Sequence, residues 1–180
     1  MKGFAVKEKK RAAGEEMVQL VTFQVSSEEY GLDINTITEV IRPHKITPLP
    51  RMPEFIEGVI NLRGVLIPVV DLRKRFEAAP RADDPRKMRM IITRGAVRGA
   101  VDPSADLLAL IADSVNEVLP IPRRDIGMAP DAARGRHADF ISGMGKAGDR
   151  LVILIDIARI LSQQERAALA EAGNAHDRSA

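Results

Sequence analysis

The chain has no cysteine and no tryptophan, and aromatic residues make up only 3% of it. Without thiols there is no disulfide framework, no thiolate nucleophile and no thiolate metal site. With one Tyr and five Phe, few rings remain to stack on nucleic-acid bases, and the core must come from Val, Ile, Leu, Ala and Met. No apolar run approaches the roughly 18 residues of a membrane span. The N-terminal stretch MKGFAVKEKKRAAGEE lacks the apolar centre of a secretory signal, so a cytoplasmic protein is expected. G-x-S-x-G, H-E-x-x-H and phosphate-binding loops are absent, which leaves hydrolases and metal enzymes without a motif. His44, His137 and His176 are far apart, and only Asp139, two beyond His137, has ligand spacing. Solvated loop histidines are expected, with no metal and no cofactor.

The sequence pI of 9.1 suggests a polyanion partner, but the charge is unevenly placed. Residues 1–11 carry a net +4 and the whole chain +2, so residues 12–180 sum to −2. A nucleic-acid-binding body should be basic over one face. A small β-barrel that binds nucleic acid therefore stands as the alternative to an interaction protein.

What the chain does have is β-branched runs broken by turn residues. MVQLVTFQV (17–25), Tyr30–Ile34 and Thr38–Arg42 read as strands. A helix over 34–41 competes, because Ile34, Ile37, Val40 and Ile41 also fit helical spacing. A proline-punctuated loop follows, in which Pro53 can open a one-turn helix. GVINLRGVLIPVVD (58–71) then reads as a hairpin turning through Asn61-Leu62-Arg63-Gly64, with Gly64 free to take positive φ. Its nearly unbroken apolar runs predict burial on most sides. Pro68 predicts an edge strand or a bulge. Asp71 is placed to cap LRKRF, and Asp156 to cap a helix through IARILSQQERAALAEA. Residues 77–87 have linker composition, and 107–121 reads as strand, Asp-Ser turn, strand. Gly143-Met144-Gly145 with Gly148 spells G-x-G-x-x-G. It precedes a strand, the reverse of the dinucleotide fingerprint, so a hairpin turn is expected.

The second half repeats the first. At an offset of 85, Phe55-Ile56-Glu57-Gly58 falls on Phe140-Ile141-Ser142-Gly143, and Asp71 on Asp156. At an offset of 78, Asn35–Val40 falls on Asp113–Val118. Five short strands per copy should curl into a barrel, which removes most edges. The expectation is a mainly β fold of two five-stranded barrels packed together with a groove between them, short helices and a C-terminal helix. The expected divisions are a disordered basic tail at 1–16, barrel one at 17–76, barrel two at 88–156, and a helical then flexible segment at 164–180. The repeat breaks at the hairpin tip, where Arg63 corresponds to Gly148. That departure points Arg63 toward function, although the pattern alone favours a solvated turn residue. Glu39, in TITEVIRP, either faces solvent or meets a cation; its mate Glu117 leaves a structural role open.

EEYGLDINTITEVIR followed by PEFIEGVINLRGVLIPVVDLRKRF resembles the CheW family of bacterial chemotaxis coupling proteins. LIADSVNEVLPIP and FISGMGKAGDRLVILIDIARIL extend the likeness through the second half, over residues 17–163 in all. The resemblance implies Src-homology-like barrels and a non-enzymatic, stand-alone adaptor between chemoreceptor tips and the histidine kinase CheA. Membrane association would come only through the receptors. It also implies that Ile37, Glu39, Gly58 and Arg63 stand where the family meets receptor helices, and puts kinase contact on the first barrel, around Ile46 and Leu49. The long loop 95–106 and the Arg-rich stretch 123–138 depart from the family pattern.

Overall fold

The structure is a computed structural model, and it describes residues 14–79, 84–96, 103–131 and 139–177. The expected disordered tail lies outside the described residues except for Gly14–Glu16. So do residues 80–83 of the 77–87 linker, 97–102 of the loop at 95–106, 132–138 of the stretch 123–138, and the last three residues.

Among the described residues the fold is mainly β. The strands are β1 (Met17–Val25), β2 (Glu28–Asp33), β3 (Ile37–Ile41), β4 (Ile56–Leu62), β5 (Val65–Asp71), β6 (Arg89–Thr93), β7 (Leu108–Ala112), β8 (Ser114–Pro122), β9 (Ile126–Gly127), β10 (Ile141–Ala147) and β11 (Arg150–Ile155). Among the described residues, helices α1 (Leu72–Arg75) and α2 (Gln163–Asp177) accompany short 3-10 turns. The 34–41 segment is a 3-10 turn, Ile34–Thr36, leading into strand β3 rather than a continuous helix.

The strands form two mixed sheets, ordered β3-β6-β7-β5-β4 and β8-β1-β2-β11-β10-β9. Each closes through the chain itself. The segment after β3 returns to pair Thr47 with Val59 of β4, and the segment after β8 returns as β9 to pair with β10. The result is two small barrels.

The sheets do not follow the two halves of the sequence. Residues 17–33 belong to the second barrel and residues 89–112 to the first, so the division expected at 17–76 and 88–156 is not the division of the sheets. Each copy gives its first two strands to the other. The connectors supply the reason. Only Asp113 separates β7 from β8, and a hairpin needs at least two loop residues, so the chain bends onward into the other sheet. Between β2 and β3, the Asp33 side chain accepts the Asn35 N–H and the Thr36 hydroxyl donates to the Asp33 carbonyl. That 3-10 turn redirects the strand instead of reversing it.

Alternation along these strands serves two cores at once. Ile67, Val69, Met90, Ile92, Ala109 and Ile111 fill the first barrel, while Val70, Ile91, Leu108, Leu110 and Ala112 face the second sheet. Leu20, Ile121, Val152 and Leu154 fill the second barrel, while Phe23, Tyr30, Leu32, Ile153 and Ile155 face the first. Burial on both faces is why VLIPVVD and RLVILI read as unbroken hydrophobe. Among the described residues, the cluster between the sheets has 21 buried members, against 7 and 4 inside the barrels. At about 1.5–3 kcal/mol per buried large aliphatic side chain, the inter-sheet contact dominates stability. Its centre is filled core, not a groove.

Polar contacts fasten the same junction. Buried Asp113 accepts the Ser26 N–H at 2.7 Å, and Arg73 bonds buried Asp71 at 2.6 and 2.9 Å while standing 3.6 Å from Asp113. Arg75 lies over Phe55 and Phe140, which are repeat mates, at 4.7 and 5.1 Å from the ring centres.

Three local expectations change. Pro53 opens a turn closed by Ile56 N–H to Pro53 C=O, with no helix, because Ile56 already enters β4. β5 is an interior strand, yet its ladder to β7 begins only at Val69, so Pro68 interrupts nothing there. Asp156 caps only the 3-10 turn Ile157–Arg159; α2 starts afresh at Ser162, whose hydroxyl and backbone exchange hydrogen bonds with Glu165 in a capping box.

Candidate functional site

The two hairpins that end the barrels set the site. In the first, Leu62 pairs with Val65, leaving Arg63-Gly64 as a two-residue turn with φ of +54° and +86°. Positive φ at both positions is the type I′ geometry that suits the strand twist. The Asn61 side chain accepts the Gly64 N–H at 2.9 Å and steadies the turn. Gly64 enters the left-handed region freely, whereas Arg63 does so against its Cβ. In the second hairpin Ala147 pairs with Arg150, and of the turn residues Gly148-Asp149 only Gly148 has positive φ.

Arg63 reaches across the seam of the first barrel. Its two terminal nitrogens donate to the two carboxylate oxygens of Glu39 at 2.8 and 2.9 Å. Glu39 lies on β3 and Arg63 at the tip of the β4–β5 hairpin, so the pair joins opposite ends of one sheet. The Arg63 side chain is 74% exposed and that of Glu39 25%. Hydrogen bonding from Arg63 holds the Glu39 carboxyl below its ordinary value, and the same bonds push the Arg63 guanidinium up.

The second barrel answers the same position differently. Glu117, the mate of Glu39, receives a 2.6 Å bond from Arg150, which also donates to both oxygens of Glu29 at 2.6 and 3.1 Å. Asn116 adds a bond to Glu29 at 3.1 Å. Burial works to raise the Glu29 carboxyl, but the Arg150 and Asn116 bonds outweigh it and hold it below its ordinary value. Hydrogen bonds to Glu29 and Glu117 push the Arg150 guanidinium up. By the repeat offsets Arg150 stands where the first barrel has Val65, and Glu29 where it has Leu107. Val65 and Leu107 pack on the first barrel's core. With that position apolar, Glu39 has no strand-borne cation, and the turn residue Arg63 serves it instead.

Arg63 has no counterpart by position, since Gly148 stands there, but both glutamates take an arginine. The structure brings Glu39 and Arg63 together and sets half-buried Ile37 beside them on β3, across a bulge. Gly58 goes elsewhere. It is buried at a bulge of β4 with φ +140°, and a Cβ there would sit 2.0 Å from the Thr47 carbonyl oxygen. Gly143 repeats the device, a Cβ meeting the Gly127 carbonyl oxygen at 2.7 Å, so Gly58 has a folding role. Ile46 packs on the first barrel's core and Leu49 is half-buried, both on the loop above Gly58.

Sequence reasoning missed Arg150 and Glu29; the repeat mate Glu117 was the available signal. It also missed exposed Leu66 and Leu151, repeat mates 42% and 57% exposed on the two hairpins. Phe23, Tyr30, Phe76 and Phe140 are buried, and Phe55 lies beneath Arg75, so the described rings are occupied within the fold. Among the described residues no helix is long and apolar enough to cross a membrane, and no three His, Asp or Glu group as a metal site.

A family model described as the CheW-like domain matches residues 19–165. The chain is 31% identical over 167 residues to a chemotaxis protein CheW from Klebsiella aerogenes, covering 92% of this chain and 95% of the relative. It is 32% identical over 162 residues to a chemotaxis protein CheW from Treponema pallidum, covering 88% and 91%. The crystal structure of the scaffolding protein TtCheW from Thermoanaerobacter tengcongensis superposes with a TM-score of 0.71 at 35% identity, over 83% of this chain and 96% of that one.

Proposed function

The chain belongs to the CheW-like family, and we propose that it joins chemoreceptor tips to the histidine kinase CheA in the cytoplasm. It is a non-enzymatic chemotaxis adaptor of the scaffold type, acting through protein partners. Its mechanism is placement: one surface holds the receptor, another the kinase, and the packed core between the barrels keeps the two at a fixed relation.

The observation that carries the receptor surface is the exposed, bidentate Arg63–Glu39 pair at the seam of the first barrel. A forked guanidinium–carboxylate pair is a directional element that a receptor helix can meet with its own charges, while half-buried Ile37 beside it offers apolar contact. Gly58 contributes indirectly, by letting the Thr47 segment lie close on β4. Receptor helices run along the rim of the inter-barrel contact, because its centre is filled. The kinase meets the loop that carries Ile46 and Leu49.

Arg63→Glu tests this reading. It places like charges across the seam, where solvent tolerates them, so the fold is expected to survive while receptor-tip capture is lost in a pull-down. Capture at the wild-type level by the folded variant rules the receptor surface out.

A further inference from the structure

The loop between β3 and β4, Arg42-Pro43-His44-Lys45-Ile46-Thr47-Pro48-Leu49-Pro50-Arg51, contains three permanent cations and no carboxylate. Arg42, Lys45 and Arg51 are exposed, and among the described residues their side chains enter no ion pair. The corresponding loop of the second barrel is also basic, but there Arg123 pairs with Glu16 at 3.4 Å and Arg124 pairs with Glu15 and Asp125. Among the described residues, the cations of that loop are answered from within the chain, and those of residues 42–51 are not. The unanswered +3 sits in a body whose residues 12–180 sum to −2, so it stands out against its surroundings.

The loop is also held in place. The Thr47 N–H donates to the Val59 carbonyl at 2.8 Å, and the Val59 N–H donates back at 2.9 Å. Three prolines restrict the backbone between the cations, and Gly58 beneath removes the Cβ that would push Thr47 away. Ile46 packs on the barrel core below, and Leu49 is half-buried beside it. A preformed surface with a small apolar centre and a charged rim has the make-up of a protein interface, and its rigidity lowers the entropy lost on binding.

We propose that residues 42–51 form a docking platform for an acidic protein surface, which, on the reading above, is the face that the kinase presents to this adaptor. The cations set the rate and register of docking and Leu49 the apolar contact. Nucleic acid fits less well, since no Phe, Tyr or Trp stands in the loop to stack on a base. An anionic membrane fits less well too, because three cations on an acidic body give weak adsorption.

The test uses the full-length chain with full-length CheA from the same organism, by titration calorimetry at low and high salt. Wild-type affinity is expected to fall about tenfold between roughly 0.05 and 0.5 M NaCl, as screening removes rim charge interactions. Arg42→Glu/Lys45→Glu/Arg51→Glu is expected to bind at least about tenfold more weakly at low salt and to lose most of the salt dependence. Leu49→Asp is expected to weaken binding at both salts, and thermal melts establish that both variants fold. If the triple variant binds as wild type while Leu49→Asp does not, the acidic-partner inference is overturned and the kinase site stands. If both bind as wild type, the kinase site itself is misplaced. Loss of binding to a mixed-sequence oligonucleotide or to phosphatidylserine vesicles, with kinase affinity unchanged, overturns the partner class.

Discussion

The open ends of the two barrels carry the same glutamate and treat it in opposite ways. In the second barrel Arg150 stands on a strand, 44% exposed, and is shared by Glu29 and Glu117, 15% and 25% exposed. All three charges of that cluster are partnered, and the cation sits in ordinary strand backbone. In the first barrel the strand positions hold Val65 and Leu107, and Arg63 reaches Glu39 from a left-handed turn while remaining 74% exposed. A surface pair of that kind adds little to stability, since solvent screens it and two long side chains must be ordered. The backbone strain at Arg63 therefore has no stabilising return inside the fold. We read the second arrangement as structural and the first as kept for a partner.

That contrast can be broken at several points. The largest effect is expected where both barrels use the same glycine device. Gly58→Ala adds a Cβ 2.0 Å from a backbone oxygen at φ +140°, while Gly143→Ala meets one at 2.7 Å without positive φ. Strain and overpacking together put Gly58→Ala at about 3–5 kcal/mol and Gly143→Ala at about 1–3 kcal/mol, measured by urea unfolding. Equal losses would mean that the Thr47 segment simply moves away.

Next is Arg150→Met, which leaves Glu29 and Glu117 facing each other. A loss on the order of 1–2 kcal/mol is expected, discounted from the cost of a fully buried pair because the site is partly solvated. A melting temperature within about 2 °C of wild type would show that Arg150 is as dispensable as a surface charge.

Acid sharpens the same point. The Glu29 carboxyl titrates lower in the folded chain than its ordinary 4.5, so it adds stability above that pH and loses it as pH falls through the folded value. Glu29→Gln is therefore expected to flatten the decline of stability below about pH 4.5, monitored by melts from neutral pH downward. An unchanged decline would mean that other carboxylates govern it.

Much of the local architecture was readable from sequence because its causes are local. Gly64 and Gly148 mark turns, Asp71 caps α1, and the offsets of 78 and 85 expose the repeat. The exchange of strand pairs was not readable. Alternation tells which face a residue occupies, not which strand lies beside it, and Ile91 or Leu110 would look the same in either sheet. Helix α2 was placed too early because Asp156 has the right residue type, while the Ser162–Glu165 box that starts it stood six residues later. Arg63 and Glu39 could be nominated from a turn and a strand, but their pairing, and the Arg150 cluster that explains it, depend on contacts across a closed barrel.

The smallest expected effect on stability comes from Arg63, and there the account is most exposed. The direct measurement is the exchanged pair, Glu39→Arg/Arg63→Glu, tested for melting temperature and receptor-tip capture beside each single variant. Exchange keeps a forked ion pair across the seam and reverses only what a partner meets. A melting temperature within about 2 °C of wild type with capture still lost is the predicted result. Capture restored by the exchange would contradict the account, because the pair would then matter only for holding the barrel closed.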